Sequence, residues 1–338
     1  FAEMSSRYPR AAGVALYMKQ AFNSNKLSLI AGLLVATAGV VSASALINGF
    51  IGYLNEFILI PRLVAIAIIC LLLGALAAWG IAESVTAASI VTLVEIGGLI
   101  MVIVFGSTEL VKLPDYLPLL IPSIDLESWG LISSGVFLAF YAFIGFEDMV
   151  DVAEEVRDVR HNLPRAILLT LIITTLTYML VMITAILVVP LEQLAASEAP
   201  LATVIQHSQG GSTLLISVIA LFAIINGALI QLIMASRVVY GMASRGQIPR
   251  VLGRVSPRTR TPLIATAIIT GAILILSMIG ELAILAEATS LIMLCVFTLV
   301  NLALIIVKRR DPHPAGVMVF PRIIPYTGVV ASAGFVLK

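Results

Sequence analysis

Long apolar runs separated by short polar ones dominate the chain. A helix rises about 1.5 Å per residue, so about 20 apolar residues cross the roughly 30 Å hydrocarbon core of a bilayer. Runs near or above that length predict membrane helices over residues 27–54, 61–81, 84–106, 165–189, 212–240, 262–279, 282–307 and 323–337. One further run differs. From Leu131 to Phe146 the apolar stretch covers only about 16 residues, roughly 24 Å, and then gives out into Glu147, Asp148 and Asp151, with Gly145 just before the acidic turn. Residues 148–157 place Met149, Val152, Ala153 and Val156 on one helical face and Asp148, Asp151, Glu154 and Glu155 on the other. The pattern over 131–157 therefore predicts a broken helix whose second half is amphipathic. A break within a membrane is tolerated only where the freed backbone groups line a cavity or are buried in protein, and such cavities bind substrates and ions.

Composition fits an integral membrane protein. With 60% hydrophobic and 12% charged residues and a mean hydropathy of +1.09, the chain could not present an ordinary water-facing surface. The net charge of +1 is uninformative, whereas the distribution of Lys and Arg is not. If residues 1–26 are cytoplasmic, alternation puts 155–165, 237–260 and 308–322 on the same side. Those segments hold all of the 20 Lys and Arg residues except Arg62, Lys112 and Lys338. The opposite loops, 107–128 and 190–211, hold Lys112 among Glu109, Asp115, Asp125, Glu127, Glu192 and Glu198. Cys70 and Cys295 lie inside apolar runs, which argues against a disulfide framework. The chain opens on Phe1, Ala2 and Glu3 as though a helix had just ended, and the expectation is that sequence precedes it.

Ionisable residues inside membrane helices are costly, so each is a functional candidate. Glu95 is the deepest, flanked by Thr92 and Gly98 at helical spacing. It could carry protons, because burial raises a carboxyl pKa, or it could remain protonated and tie helices together. Glu147 stands at the start of the second half-helix, where backbone N–H groups favour negative charge, and reads either as a gating or coupling group or as a cap. Tyr141, Phe143 and Phe146 cluster at the break as walls or lids of a cavity, or as packing. Asn226 and Gln231 do not share a helix face, which favours helix packing for at least one of them, and Ser42, Ser44 and Asn48 read the same way. His161, His207 and His313 fall in predicted loops, and no HExxH or Cys/His cluster offers a metal site or enzyme chemistry.

Three ordered stretches carry a resemblance. FLAFYAFIGFEDMVDVAEEV followed by NLPRAI resembles the sixth-helix signature of the amino acid, polyamine and organocation (APC) transporter superfamily. AEMSSRYPRAAG resembles the loop between that family's second and third helices, and ASRVVYGMASRGQIPRVLGRVSPRTRTPLIA its eighth helix and following loop. The resemblance implies an all-α polytopic membrane protein with a LeuT-like bundle of five plus five inverted-repeat helices, in which helices 1 and 6 are discontinuous. On that alignment, residues 1–338 form a single transporter domain running from the end of helix 2 to helix 11, lacking helix 1 and most of helix 2.

The same resemblance implies a substrate-binding role for Tyr141, Ala142, Phe143, Ile144 and Gly145, with Gln231 near another site-lining position, and a gating or coupling role for Glu147. Glu95 lies in about the register where many members carry a Lys, which a carboxylate cannot imitate. Asp158 and Val159 replace an Asn-Pro pair usual after the A-E-E motif. The expected function is secondary active transport of amino acids or related amines by alternating access, coupled to protons as symport. The alternatives are exchange without ion coupling and a non-transporting amino acid sensor. No cofactor, metal, nucleic acid or catalytic residue is expected. The expected location is a cell membrane, of a bacterial inner-membrane kind.

Overall fold

The computed structural model describes residues 1–9, 13–80, 85–150, 153, 156–209, 213–312 and 314–337. Its helices are α1 (Ala2–Arg7), α2 (Gly13–Phe22), α3 (Asn25–Leu54), α4 (Arg62–Trp79), α5 (Val85–Phe105), α6 (Leu113–Leu120), α7 (Leu126–Tyr141), α8 (Val159–Val188), α9 (Leu191–Ala196), α10 (Pro200–Gln209), α11 (Leu214–Ser244), α12 (Leu263–Ile279), α13 (Leu282–Arg310) and α14 (Ile323–Val336). Short 3-10 turns stand at Ser107–Lys112, Phe146–Val150 and Arg250–Gly253, and there is no strand among the described residues. The chain is an all-α, multi-pass membrane protein. Among the described residues, six helical stretches are long and apolar enough to cross a membrane, or seven if the pair bent by 54° at Ile90–Phe105 and Ser107–Pro118 is one span. Each predicted run has become a helix, with α12 and α14 apolar but shorter than the rest.

α3 runs through the middle of the bundle. Of its most apolar window 67% is buried, against 28% for α4 and 17% for α8. Small residues make this possible, among them Ala31, Ala36, Ala38, Ala43, Ser44 and Ala45, all buried. Helices in lipid gain little from the hydrophobic effect against one another and associate by close packing, which small side chains permit. At Gly39 a Cβ atom would come within 3.2 Å of the Ala235 Cβ, so α3 meets α11 almost backbone to backbone. On one side Met4, Tyr17, Met18, Leu163, Met293 and Val296 join α1, α2, α8 and α13 in a core. On the other side Ile47, Ile66, Leu73, Leu232 and Ile273 join α3, α4, α11 and α12.

The broken helix differs in detail from its prediction. α7 ends at Tyr141, turns follow at residues 142–145, and the continuation from Phe146 to Val150 is a 3-10 turn, where an amphipathic α-helix was expected from 148. Asp151, Val152, Glu154 and Glu155 lie outside the described residues. α8 also begins at Val159, earlier than the predicted 165, and so carries Pro164 inside its second turn. Proline removes the N–H that would bond the carbonyl four residues back. That carbonyl, of Arg160, accepts instead from the Ser6 hydroxyl at 2.7 Å, which lets the helix start early without an orphaned acceptor. His161 and His207, expected in loops, sit on α8 and α10, and His313 lies outside the described residues.

A buried ion cluster closes the basic end of the bundle. Glu3 is 2% exposed. Its carboxylate accepts from Arg7 Nε at 3.0 Å and Nη2 at 2.8 Å, from Lys308 Nζ at 2.6 Å and from the Phe320 amide at 3.0 Å. A buried charge is stable only when it is paired and its lone pairs are occupied. Here one carboxylate fastens α1 to the end of α13 and to the segment leading into α14.

Candidate functional site

The break begins where α7 runs out of regular hydrogen bonding. The amides of Ala142, Phe143 and Ile144 bond the carbonyls of Ala139, Phe140 and Tyr141, each three residues back, at 3.0, 3.0 and 3.2 Å. Gly145 then adopts φ +126°, a conformation open to glycine and costly for residues with a Cβ. Its amide donates to Glu147 Oε2 at 2.8 Å, and its carbonyl accepts from Asp148 N at 3.1 Å. Among the described residues, the carbonyls of Ala142, Phe143 and Ile144 accept no backbone hydrogen bond outside regular helix. Unpaired backbone carbonyls in an apolar setting are strong acceptors awaiting a partner. Glu147, 5% exposed, folds back onto the break, where its carboxyl group accepts the Gly145 amide.

Neighbouring helices hold both sides of the break through polar and aromatic contacts. The Tyr141 hydroxyl donates to the Ser42 carbonyl of α3 at 3.1 Å. Phe143 meets Tyr178 of α8 edge-on at 5.3 Å, and Phe146 meets Phe297 of α13 at 5.6 Å. Gln231 Nε2 of α11 donates to Asp148 Oδ2 at 3.0 Å. Ile144 packs against the core shared by α1, α2, α8 and α13, whereas Ala142 is exposed.

Glu95 stands apart from this group and is linked to it. Its Oε1 accepts from Asn226 Nδ2 of α11 at 3.3 Å, and the Tyr178 hydroxyl, at the far end of the ring that Phe143 touches, is within electrostatic reach of it. Close by, a Cβ on Gly98 would come within 2.8 Å of Ile219, so α5 approaches α11 tightly at this level. Asn226 and Gln231 are five residues apart and point about 140° away from each other around the helix. Each reaches a different carboxylate, so α11 carries two amide–carboxylate bonds on two faces. The structure thus gathers Tyr141, Phe143, Ile144, Gly145, Glu147 and Gln231 around one break and holds Glu95 one helix away.

Sequence reasoning left Asp148, Tyr178, Phe297 and Asn226 out of the site. The first three are unremarkable in isolation, an acid on a polar face and two aromatics in apolar runs. Asn226 did carry a signal, as an amide deep in an apolar helix, which needs a polar partner wherever it points.

Comparison with known proteins shows the family. A family model described as amino acid permease matches residues 1–337. The chain belongs to the amino acid permease family. Among similar proteins of this kind, a branched-chain amino acid permease, BcaP of Bacillus subtilis (strain 168), is 27% identical over 212 residues, which are 62% of this chain and 44% of the relative. An uncharacterized transporter of Mycobacterium tuberculosis (strain ATCC 25618 / H37Rv) is 26% identical over 335 residues, 97% of this chain and 72% of the relative. Cationic amino acid transporter 4, vacuolar, of Arabidopsis thaliana is 26% identical over 333 residues, 92% of this chain and 55% of the relative. The chain thus spans less than half of the first of these permeases and about half of the third.

Proposed function

We propose that this chain is the larger part of the transport domain of a secondary active transporter that moves amino acids or related amines by alternating access, coupled to protons as symport. The observation that carries the reading is the break at Tyr141–Gly145, where, among the described residues, the carbonyls of Ala142, Phe143 and Ile144 accept no backbone hydrogen bond outside regular helix, and where the Glu147 carboxylate holds the Gly145 amide. An ammonium group of the substrate matches those acceptors. Tyr141, Phe143 and Phe146 then wall the site, and Gln231 fixes its position against α11 through Asp148. A LeuT-like bundle of five plus five helices, with residues 1–338 as one partial domain, accounts for an interrupted helix at this place in the chain. The relatives named for branched-chain and cationic amino acids support the substrate class.

Glu95 is the proposed proton carrier. A carboxyl held by a neutral amide between apolar helices can be neutral in one conformation and charged in another, and coupling requires that the ion prefer one of the two. A rocking motion that separates α5 from α11 changes the Asn226–Glu95 contact, and with it that preference. Uptake of labelled amino acids into proteoliposomes of the full-length protein tests the proposal. Accumulation only with an inward proton gradient is the expected result. Uptake that ignores the gradient and requires internal amino acid means an exchanger, and binding without uptake means a sensor.

A further inference from the structure

The ring of Phe297 on α13 meets both halves of the broken helix. Phe140, in the last turn of α7, lies 5.5 Å from it, and Phe146, just past the break, 5.6 Å, with ring planes crossing at 80° and 66°. Phe1, just before α1, closes the cluster at 5.1 Å from Phe297 and 5.8 Å from Phe146. Edge-to-face pairs set the positive rim of one ring against the negative face of another, so they depend on orientation as well as on proximity.

The spacing of the two partners ties this contact to the bent chain. In an uninterrupted α-helix, residues six apart point about 120° away from each other and lie about 9 Å apart along the axis. Phe140 and Phe146 would then face different neighbours. The turns at residues 142–145, with Gly145 at φ +126°, bring both rings to Phe297. Straightening the break, or turning one half against the other, gives up one of the two pairs. Phe297 has little freedom to follow, because Met293, Val296 and Val300 on the same stretch of α13 are buried in the core shared with α1, α2 and α8. We infer that Phe297 is a positioning residue, which holds the break in its bent form and so keeps the carbonyls of Ala142, Phe143 and Ile144 in place for a substrate. The part in substrate binding rests on the site proposed above, whereas the hold on the break does not.

Hydrogen–deuterium exchange of the full-length protein in detergent, read by mass spectrometry, tests the hold directly. The Gly145 and Asp148 amides are bonded across the break, to Glu147 Oε2 and to the Gly145 carbonyl, so peptides covering residues 142–148 report its order. Phe297→Leu keeps the apolar bulk and loses both ring pairs. Exchange in those peptides should quicken about tenfold. The KM for uptake should rise by a similar factor, with kcat per inserted transporter within about twofold of the parent. Phe297→Tyr, which keeps the ring, should stay within about twofold of the parent in both measurements. Phe140→Leu alone should quicken exchange about threefold, and should add little in the Phe297→Leu background, where the pair it removes is already gone. Leu304→Ala, two turns further along α13 in the same core, controls for lost packing. It should lower thermal stability and leave exchange at the break unchanged. Unchanged exchange in Phe297→Leu, an equal rise in Leu304→Ala, or full additivity with Phe140→Leu would each overturn the assignment. Faster exchange with an unchanged KM would uphold Phe297 as the hold on the break and overturn the substrate site there.

Discussion

Gln231 of α11 donates its side-chain amide to the carboxylate of Asp148 at 3.0 Å, which fastens the far side of the broken helix to a helix that packs on α3. A neutral amide donor leaves the carboxylate charged or neutral as its surroundings dictate. Gln231→Leu removes the donor and leaves Asp148 without this partner. The loss should cost about 1–2 kcal/mol, read as a five- to thirtyfold rise in KM for uptake. An unchanged KM with normal membrane insertion would mean that the bond is incidental to the site.

Glu95 makes the most direct test of coupling. Glu95→Gln keeps the shape of the side chain and can still bond Asn226, so the protein should insert and fold normally. Accumulation against a gradient should disappear while exchange of internal for external substrate persists. If uptake by the variant keeps the pH dependence of the parent, Glu95 is a structural residue.

The Glu3 cluster sets a stability prediction. Glu3→Gln leaves Lys308 and Arg7 buried without their counter-charge. Breaking a buried pair on one side costs about 3–5 kcal/mol, so thermal unfolding in detergent should shift down by several degrees. A melting curve superimposable on the parent's would show that the cluster relaxes or hydrates.

Asp125 caps α7 and carries a pH signature. Its carboxylate accepts from the Ser123 hydroxyl first, and then from the Ser128 amide and hydroxyl, and these bonds pull its pKa down from 3.8 to about 2. A depressed carboxyl pKa favours the capped form above the unfolded value and loses that contribution as pH falls through the folded value. The start of α7 should therefore stay ordered above pH 4 and fray towards pH 2. Trp129, on the first turn of α7, reports this by fluorescence, with Trp79 silenced by Trp79→Phe. The same transition in Asp125→Asn would remove Asp125 as its cause.

Much of the fold was legible because the membrane imposes simple rules. Apolar length located every long helix, and the short run before Gly145 located the break. Gly145 was readable since a positive φ at a turn leaves few choices of residue. The second half of the broken helix was not, because the choice between a 3-10 turn and an α-helix at Phe146–Val150 depends on contacts with α8, α11 and α13 rather than on its own periodicity. The early start of α8 was hidden for a related reason. Pro164 signals a helix boundary, and only Ser6, more than 150 residues away in sequence, satisfies the carbonyl that would otherwise forbid a longer helix. Pairings such as Asn226 with Glu95 and Gln231 with Asp148 join residues distant in sequence. Spacing along one helix shows that each amide needs a partner, but not which one.

The central claim is that substrate sits at the break beside Gly145. The measurement closest to it is calorimetric titration of the transported amino acid into the full-length protein and into Gly145→Leu. Open space surrounds the position where a Cβ would stand, so the substitution acts through the backbone, at a cost of about 1–3 kcal/mol. The expected result is loss of binding in a variant that remains inserted and monodisperse. Binding at the parent's affinity would contradict the account and place the site elsewhere in the bundle.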